Sequence, residues 1–171
     1  AIKTVYNGVL RDSANQFYDS KFDIAKLSNI KNDAIKSILS AKLLEAQNRG
    51  ISISVEIEEP VSNFRIELLD FITVLSVLCD NAIEATIEAI NPRMTVAFMN
   101  NDDSLVLIVE NSIKTEKVDV SRIFARGYSS KGEGRGLGLH NVNSILEKYP
   151  KSTITTRSAN HLFSQTIRFC K

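Results

Sequence analysis

Apolar and polar residues recur along this chain with two different periods, and each change of period marks an element. Residues 1–27 carry Val5, Val9, Leu10, Phe17, Phe22, Ile24 and Leu27 in a loose amphipathic pattern that fits a helix or a helix-loop connector. From Ser28 to Arg49 the spacing predicts a helix over 28–49. Asp33, Lys36, Ser40 and Gln47 form its polar face, Leu27, Ile30, Ala34, Ile38 and Ala41 lie opposite, and Gly50 is its C-cap. Ile35, Leu39, Leu43 and Ala46 widen the apolar arc, which fits burial against several elements in a helical bundle or dimer, or ordinary packing on the segment that follows. The period then drops to two: Ile51, Ile53, Val55 and Ile57 alternate with Ser52, Ser54, Glu56 and Glu58, a strand with one buried face closed by Pro60. Residues 66–90 predict a long core helix, apolar nearly all round through Leu68, Leu69, Ile72, Leu75, Leu78 and Ile83.

Two strands, Met94–Met99 and Ser104–Glu110, flank an Asn-Asn-Asp-Asp turn, and residues 112–130 are irregular apart from an apolar knot at Ile123 and Phe124. Leu139, Val142, Ile145 and Leu146 give a helix up to Tyr149 and Pro150. A closing hairpin joins Thr153–Arg157 to Phe163–Phe169 across Ala159 and Asn160. Strands and helices segregate more than they alternate. The expected class is therefore α+β, a two-layer sandwich with helices on one face of a mainly antiparallel mixed sheet, preceded by a helical segment.

Composition narrows the partners. The chain has 171 residues, 43% of them hydrophobic, enough for one core with an appendage. A formal charge of +1 creates no field that would draw nucleic acid or an anionic membrane. Cys79 and Cys170 form neither a metal spacing nor a disulfide framework, which fits a reducing, cytoplasmic setting. No apolar run is long enough to span a bilayer. The opening in the middle of a helical pattern, without Met, gives the expectation of a fragment of something longer.

Candidate chemistry falls in two places. Gly132, Gly134, Gly136 and Gly138 sit within nine residues, Lys131 to Leu139, and lead into a helix N-terminus. Such a backbone lets N–H groups approach phosphate oxygens with no Cβ in the way, and a helix start favours an anion, while Lys131 and Arg135 add positive charge. A flexible loop capping a helix accounts for the glycines equally well. In the core helix, Asp80, Asn81 and Glu84 are polar residues that need a reason for being there. Asn81 and Glu84 stand one turn apart and Asp80 and Glu84 stack at i,i+4, so the group could hold a hydrated Mg²⁺ or simply mark where the helix meets solvent.

Taken in order, L-C-D-N-A-I-E-A in a core helix, a strand ending Val109-Glu-Asn111, Ile123-Phe-Ala-Arg-Gly-Tyr-Ser-Ser-Lys131 and G-E-G-R-G-L-G-L resemble the Bergerat-fold (GHKL) ATP-binding domain. Gyrase, Hsp90, histidine kinases and MutL share that fold. The resemblance covers residues 51–171, with the N box at Asp80–Ala85, the F-box region at Ile123–Lys131 and the G box at Gly132–Leu139. Within the superfamily the chain looks most like the sensor histidine kinases that serve as peptide-pheromone receptors in Gram-positive quorum sensing, of the accessory-gene-regulator and competence types. The likeness continues upstream, where Ile35 to Lys42 resembles their second dimerisation helix. It divides the chain into residues 1–50, the C-terminal part of a dimerisation and phosphoacceptor hairpin, and residues 51–171, the ATP-binding catalytic domain.

That resemblance implies ATP and Mg²⁺ as cofactors. It implies that Asn81 ligates Mg²⁺, with Asp80 and Glu84 as further candidates, and that Asn111 stands where most histidine kinases place the adenine-reading aspartate. Lys131, Gly132, Gly134, Arg135, Gly136, Leu137 and Gly138 would clasp the phosphates as a lid. It further implies a homodimer through the dimerisation helices, a response-regulator receiver domain as partner, and a cytoplasmic domain of a protein anchored in the bacterial membrane. The sequence departs from the superfamily at three points. Glu110-Asn-Ser-Ile replaces the Asp-x-Gly-x-Gly box, Glu84 stands where many histidine kinases carry a basic residue, and Val77 occupies the place of the water-activating glutamate of gyrase and Hsp90. An apolar side chain takes no proton, so simple ATP hydrolysis is disfavoured. His140 and His161 are the only histidines, neither lies on the dimerisation helix, and both read as structural; the acceptor histidine is expected upstream of Ala1. Two rival readings remain at this level, an anti-sigma-type serine kinase and a nucleotide-gated binding module without phosphotransfer.

Overall fold

The period-two segments pair into one sheet in the computed structural model, which describes residues 25–125 and 137–171. Its five strands are β1 (Ser52–Ile57), β2 (Arg93–Asn100), β3 (Ser104–Ser112), β4 (Ser152–Ala159) and β5 (Leu162–Cys170), in the order β1-β2-β3-β5-β4. β1 runs parallel to β2 and every other pairing is antiparallel. The register puts Val55 beside Val96, Val96 beside Val109, and Leu107 beside Ile167, so one face carries a continuous apolar layer. Three helices cover that face: α1 (Asp33–Asn48), α2 (Leu68–Thr86) and α3 (Gly138–Leu146). α2 lies centrally, packed on β2 and β3 with α1 on one side and α3 on the other. Phe71 of α2 seats among Phe64, Phe169 and Phe98, with ring centroids 4.8, 5.5 and 6.3 Å away.

The helix expected over 28–49 is shorter. Asn32 caps its start by accepting from the Ile35 amide at 3.1 Å, and Lys26–Asn29 before it form a 3-10 turn. Ile30 leaves the helix for a parallel bridge to Val61, and Asn29 Nδ2 donates to Ile57 O at 2.7 Å. The buried stripe of α1 is Ile35, Leu39, Leu43 and Ala46, each with no exposed surface, while Ala34 and Ala41 face outward. At its far end Gly50 adopts φ +78°. Gly50 N–H donates to Gln47 O and Ile51 N–H to Ala46 O, a Schellman closure that hands the chain directly to β1.

The second helix is also shorter than residues 66–90. Leu68 and Leu69 at its start are exposed, and Ile90 is outside it and 88% exposed. The last hairpin turns at Asn160 and His161 rather than at Ala159 and Asn160. Both turn residues have positive φ (53° and 61°) between the paired Ala159 and Leu162, as a two-residue type I′ turn requires.

Candidate functional site

Successive residues of a helix point about 100° apart, so Asp80 and Asn81 serve different neighbours. Asp80 turns to α1, where Lys42 Nζ lies 2.5 Å from its Oδ1. Asn81 turns to α3. A Cβ built on Gly138, the first residue of α3, would lie 3.0 Å from Val77 Cγ1 and 3.9 Å from both polar atoms of the Asn81 amide. The missing side chain thus lets the start of α3 rest on the α2 turn that carries Asn81. Leu137 caps this end of α3 and is half-exposed. Lys131, Gly132, Gly134, Arg135 and Gly136 lie outside the described residues, as does the F-box stretch after Ala125.

One turn on from Asn81, Glu84 and Ala85 of α2, with Glu88 just past the helix end, border a cleft of about 840 Å³. Its far wall is the irregular stretch 113–118, with Ile113, Lys114, Lys117 and Val118, and Arg49 closes one end. Lacking a strand partner of its own, this wall is tied to the β4–β5 hairpin. Ile113 N–H donates to His161 O at 2.9 Å, His161 N–H to Glu116 O at 2.8 Å, and Val118 N–H to Ser158 Oγ at 2.8 Å. His161 therefore holds the hairpin tip against the cleft wall.

Asn111 lies at the C-terminal end of β3, on the helix-covered face beside Met94 and Phe163, and is 2% exposed. Its Nδ2 donates to Ser112 O at 2.9 Å, which fixes the amide and leaves its carbonyl oxygen as the remaining polar atom. Next to it, Ser112 Oγ lies 2.5 Å from Thr86 Oγ1 and accepts from Arg93 N–H at 3.0 Å. This buried knot joins the last turn of α2 to both strands, setting how far Asn111 stands from Glu84 and Ala85. Nothing in the sequence pattern pointed to Thr86, Lys42, Arg49, Lys114 or Lys117.

The residues present fit a nucleotide. The cleft has the size of a small-molecule site, a glycine-started helix lies against Asn81 one turn before the lining residues Glu84 and Ala85, and a fixed amide lies at the end of β3, two residues before Ile113 of the far wall. Among the described residues no cluster of His, Cys, Asp and Glu could hold a metal unaided.

Below Gly138, the opposite end of α3 is clamped to the start of α2. Lys148 Nζ lies 2.8 Å from Asp70 Oδ2, and Tyr149 OH donates to the same oxygen at 2.6 Å. The hydrogen bonds from Lys148 and Tyr149 hold the Asp70 carboxyl below the usual range, and the same bonds raise both partners. Cys79, fully buried beside Asp80, is pushed up to about 12, chiefly by burial and then by the Asp80 charge, so it is not a nucleophile here.

Comparison with known proteins gives the family and the fold. Residues 66–170 match the GHKL domain family. The chain is 29% identical over 125 residues to the sensor protein CitS of Bacillus subtilis (strain 168), an alignment that takes in 70% of this chain and 23% of that protein. It thus spans about a quarter of the length of that relative. The catalytic domain of histidine kinase ThkA superposes with a TM-score of 0.68 at 20% identity, over 80% of this chain and 91% of that one. Full-length ShkA in complex with AMPPNP superposes with a TM-score of 0.64 at 16% identity, over 99% of this chain and 39% of that one. The chain belongs to the GHKL domain family, and its fold is that of a histidine-kinase catalytic domain.

Proposed function

We propose that this chain is the ATP-binding catalytic portion of a two-component sensor histidine kinase. The observation that carries the reading is the close approach of Gly138 to the α2 turn that carries Asn81, one turn before Glu84 and Ala85 of the cleft. In this reading the cleft between Glu84, Ala85 and Ile113 takes the base and ribose, and the fixed Asn111 amide offers its oxygen to the adenine amino group. Asn81 and the start of α3 meet the phosphates, and Lys131, Arg135 and the glycines 132, 134 and 136 close over them. When bound, Mg-ATP supplies the transferable γ-phosphoryl. The protein's own work is positioning and charge neutralisation rather than covalent chemistry. Val77 offers no base for activating water, which favours transfer to another protein group over hydrolysis. AMPPNP in the fold neighbour ShkA supports the choice of ligand.

The finer reading is a peptide-pheromone receptor kinase of the quorum-sensing type, anchored in the bacterial membrane through another part of the protein. It passes phosphoryl to a histidine upstream of Ala1 and from there to a response-regulator receiver domain. Dimerisation through α1 is supported by its outer face, where Ala34, Ala41 and the 49% exposed Leu44 form an uncovered seam opposite the buried one. No helix among the described residues is long and apolar enough to cross a membrane.

The test is nucleotide binding with and without Mg²⁺, followed by transfer. Asn81→Ala is expected to weaken Mg-ATP binding by about 10- to 100-fold, the scale of one lost hydrogen bond to a charged group, with an unchanged circular dichroism spectrum. Unchanged affinity would remove Asn81 from the site. Incubation with labelled ATP and a separate upstream helical segment should give an acid-labile, base-stable phosphoramidate. Phosphoserine on a partner would indicate a serine kinase instead, and binding without any transfer a nucleotide-gated module.

A further inference from the structure

Asp80 is the residue of the Asp-Asn pair that turns away from α3, and its partner is on another element. Lys42 Nζ approaches it to 2.5 Å, with the Lys42 side chain 23% and the Asp80 side chain 46% exposed, a pair that is partly open to water on the carboxylate side. Lys42 occupies the middle of α1, whose two ends are tied to β1 and to Val61 just after it. At the front, Lys31 N–H donates to Val61 O at 2.8 Å, Val61 N–H to Asn29 O at 2.9 Å, and Asn29 Nδ2 to Ile57 O. At the back, the Gly50 closure runs straight into Ile51 and β1. A rod pinned at both ends cannot slide along its axis. What it retains is roll and bowing, and these displace the middle most.

We propose that Lys42 is a positioning residue for the nucleotide site: through Asp80 it sets the rotation of the α2 turn that presents Asn81 to the start of α3. The inference rests on the reading of Asn81 as a phosphate-facing residue. A roll of α1 moves Lys42, Lys42 moves Asp80, and Asp80 rotates the Val77–Asn81 turn against Gly138, where a Cβ would already meet Val77 Cγ1 at 3.0 Å. The outer seam of α1 faces away from this contact, so whatever docks there acts on the site through Lys42 rather than by touching nucleotide.

The test uses the 171-residue chain and compares Lys42→Met, which keeps the aliphatic stem, Lys42→Arg, which keeps the charge, and Asp80→Asn, which keeps the shape. ATP affinity is measured with Mg²⁺ and with EDTA, alongside Tm without nucleotide. Lys42→Met and Asp80→Asn are each expected to reduce Mg-ATP affinity about 3- to 10-fold, the range of couplings carried through packed elements. Their effects should not add, Lys42→Arg should recover most of the loss, and affinity in EDTA should change less. A fall in Tm with the Mg-ATP affinity intact, while Asn81→Ala has lost binding, overturns the positioning role and leaves the site standing. Wild-type affinity in Asn81→Ala overturns both.

Discussion

At Gly138 the absence of one carbon decides how close two helices come. An added Cβ would press on Val77 Cγ1 at 3.0 Å, and Val77 is β-branched and stiff about χ1, so it gives way poorly. Alanine at a helical position otherwise gains about 1 kcal/mol over glycine in propensity. We therefore expect Gly138→Ala to lose Mg-ATP affinity with little change in thermal midpoint, and the double variant Gly138→Ala with Val77→Ala to recover the affinity. Equal affinity in all three proteins, by titration with a fluorescent nucleotide, would mean that the contact is packing alone. The box residues were legible in the sequence because their order and spacing are specific. The partner of Asp80 was not, since Lys42 lies 38 positions away and only the packing of α1 on α2 brings it there. Buried polar atoms were equally silent: Gln165 Nε2 and Thr156 Oγ1 sit opposite each other on β5 and β4 with no hydrogen-bond partner among the described residues.

Among the elements, α3 is held at both ends by different means, shape at Gly138 and charge at Lys148. Asp70 has a lowered carboxyl value in the folded chain, so its bonds to Lys148 and Tyr149 contribute stability that is fully present above the unfolded value of about 3.9. That contribution is lost as pH falls through the folded value. Asp70→Asn should thus lower the midpoint of urea unfolding at pH 7, and the gap from wild type should close as the solution is acidified below the ordinary carboxylate range. A gap independent of pH would exclude the ionised carboxyl as its origin. Element types were readable from periodicity throughout, but ends were not. The apolar run through Ile87 and Ile90 carries no breaker that the pattern could register, whereas in the structure Thr86 Oγ1 bonds Ser112 Oγ and the Arg93 carbonyl and the helix stops there.

For the molecule as a whole, the apolar core runs across residue 50. Ile35, Leu39, Leu43 and Ala46 of α1 join the same apolar cluster as Val55, Leu75 and Leu107. Periodicity alone could not choose this stripe, because Ala34, Ile38, Ala41 and Leu44 recur at helical spacing on the other side; burial selects the one that meets α2 and β1. Leu39→Ala should destabilise the entire unit by about 2–5 kcal/mol as a core cavity. Leu44→Ala should stay within about 0.5 kcal/mol as a surface change. Chemical denaturation of the two variants checks both, and similar small effects would return α1 to the status of an appendage.

The position of β5 has a consequence for how the molecule is made. It follows every other described element in sequence, yet it lies inside the sheet, between β3 and β4. Until it docks, β3 has an open edge, Leu107 and Leu105 lack Ile167 and Phe169, and the turn that braces residues 113–118 does not exist. Pairings of such long sequence separation form slowly. Until β5 has been made and has docked, a nascent chain thus has no finished cleft, and nucleotide can stabilise the fold only after that strand is in place.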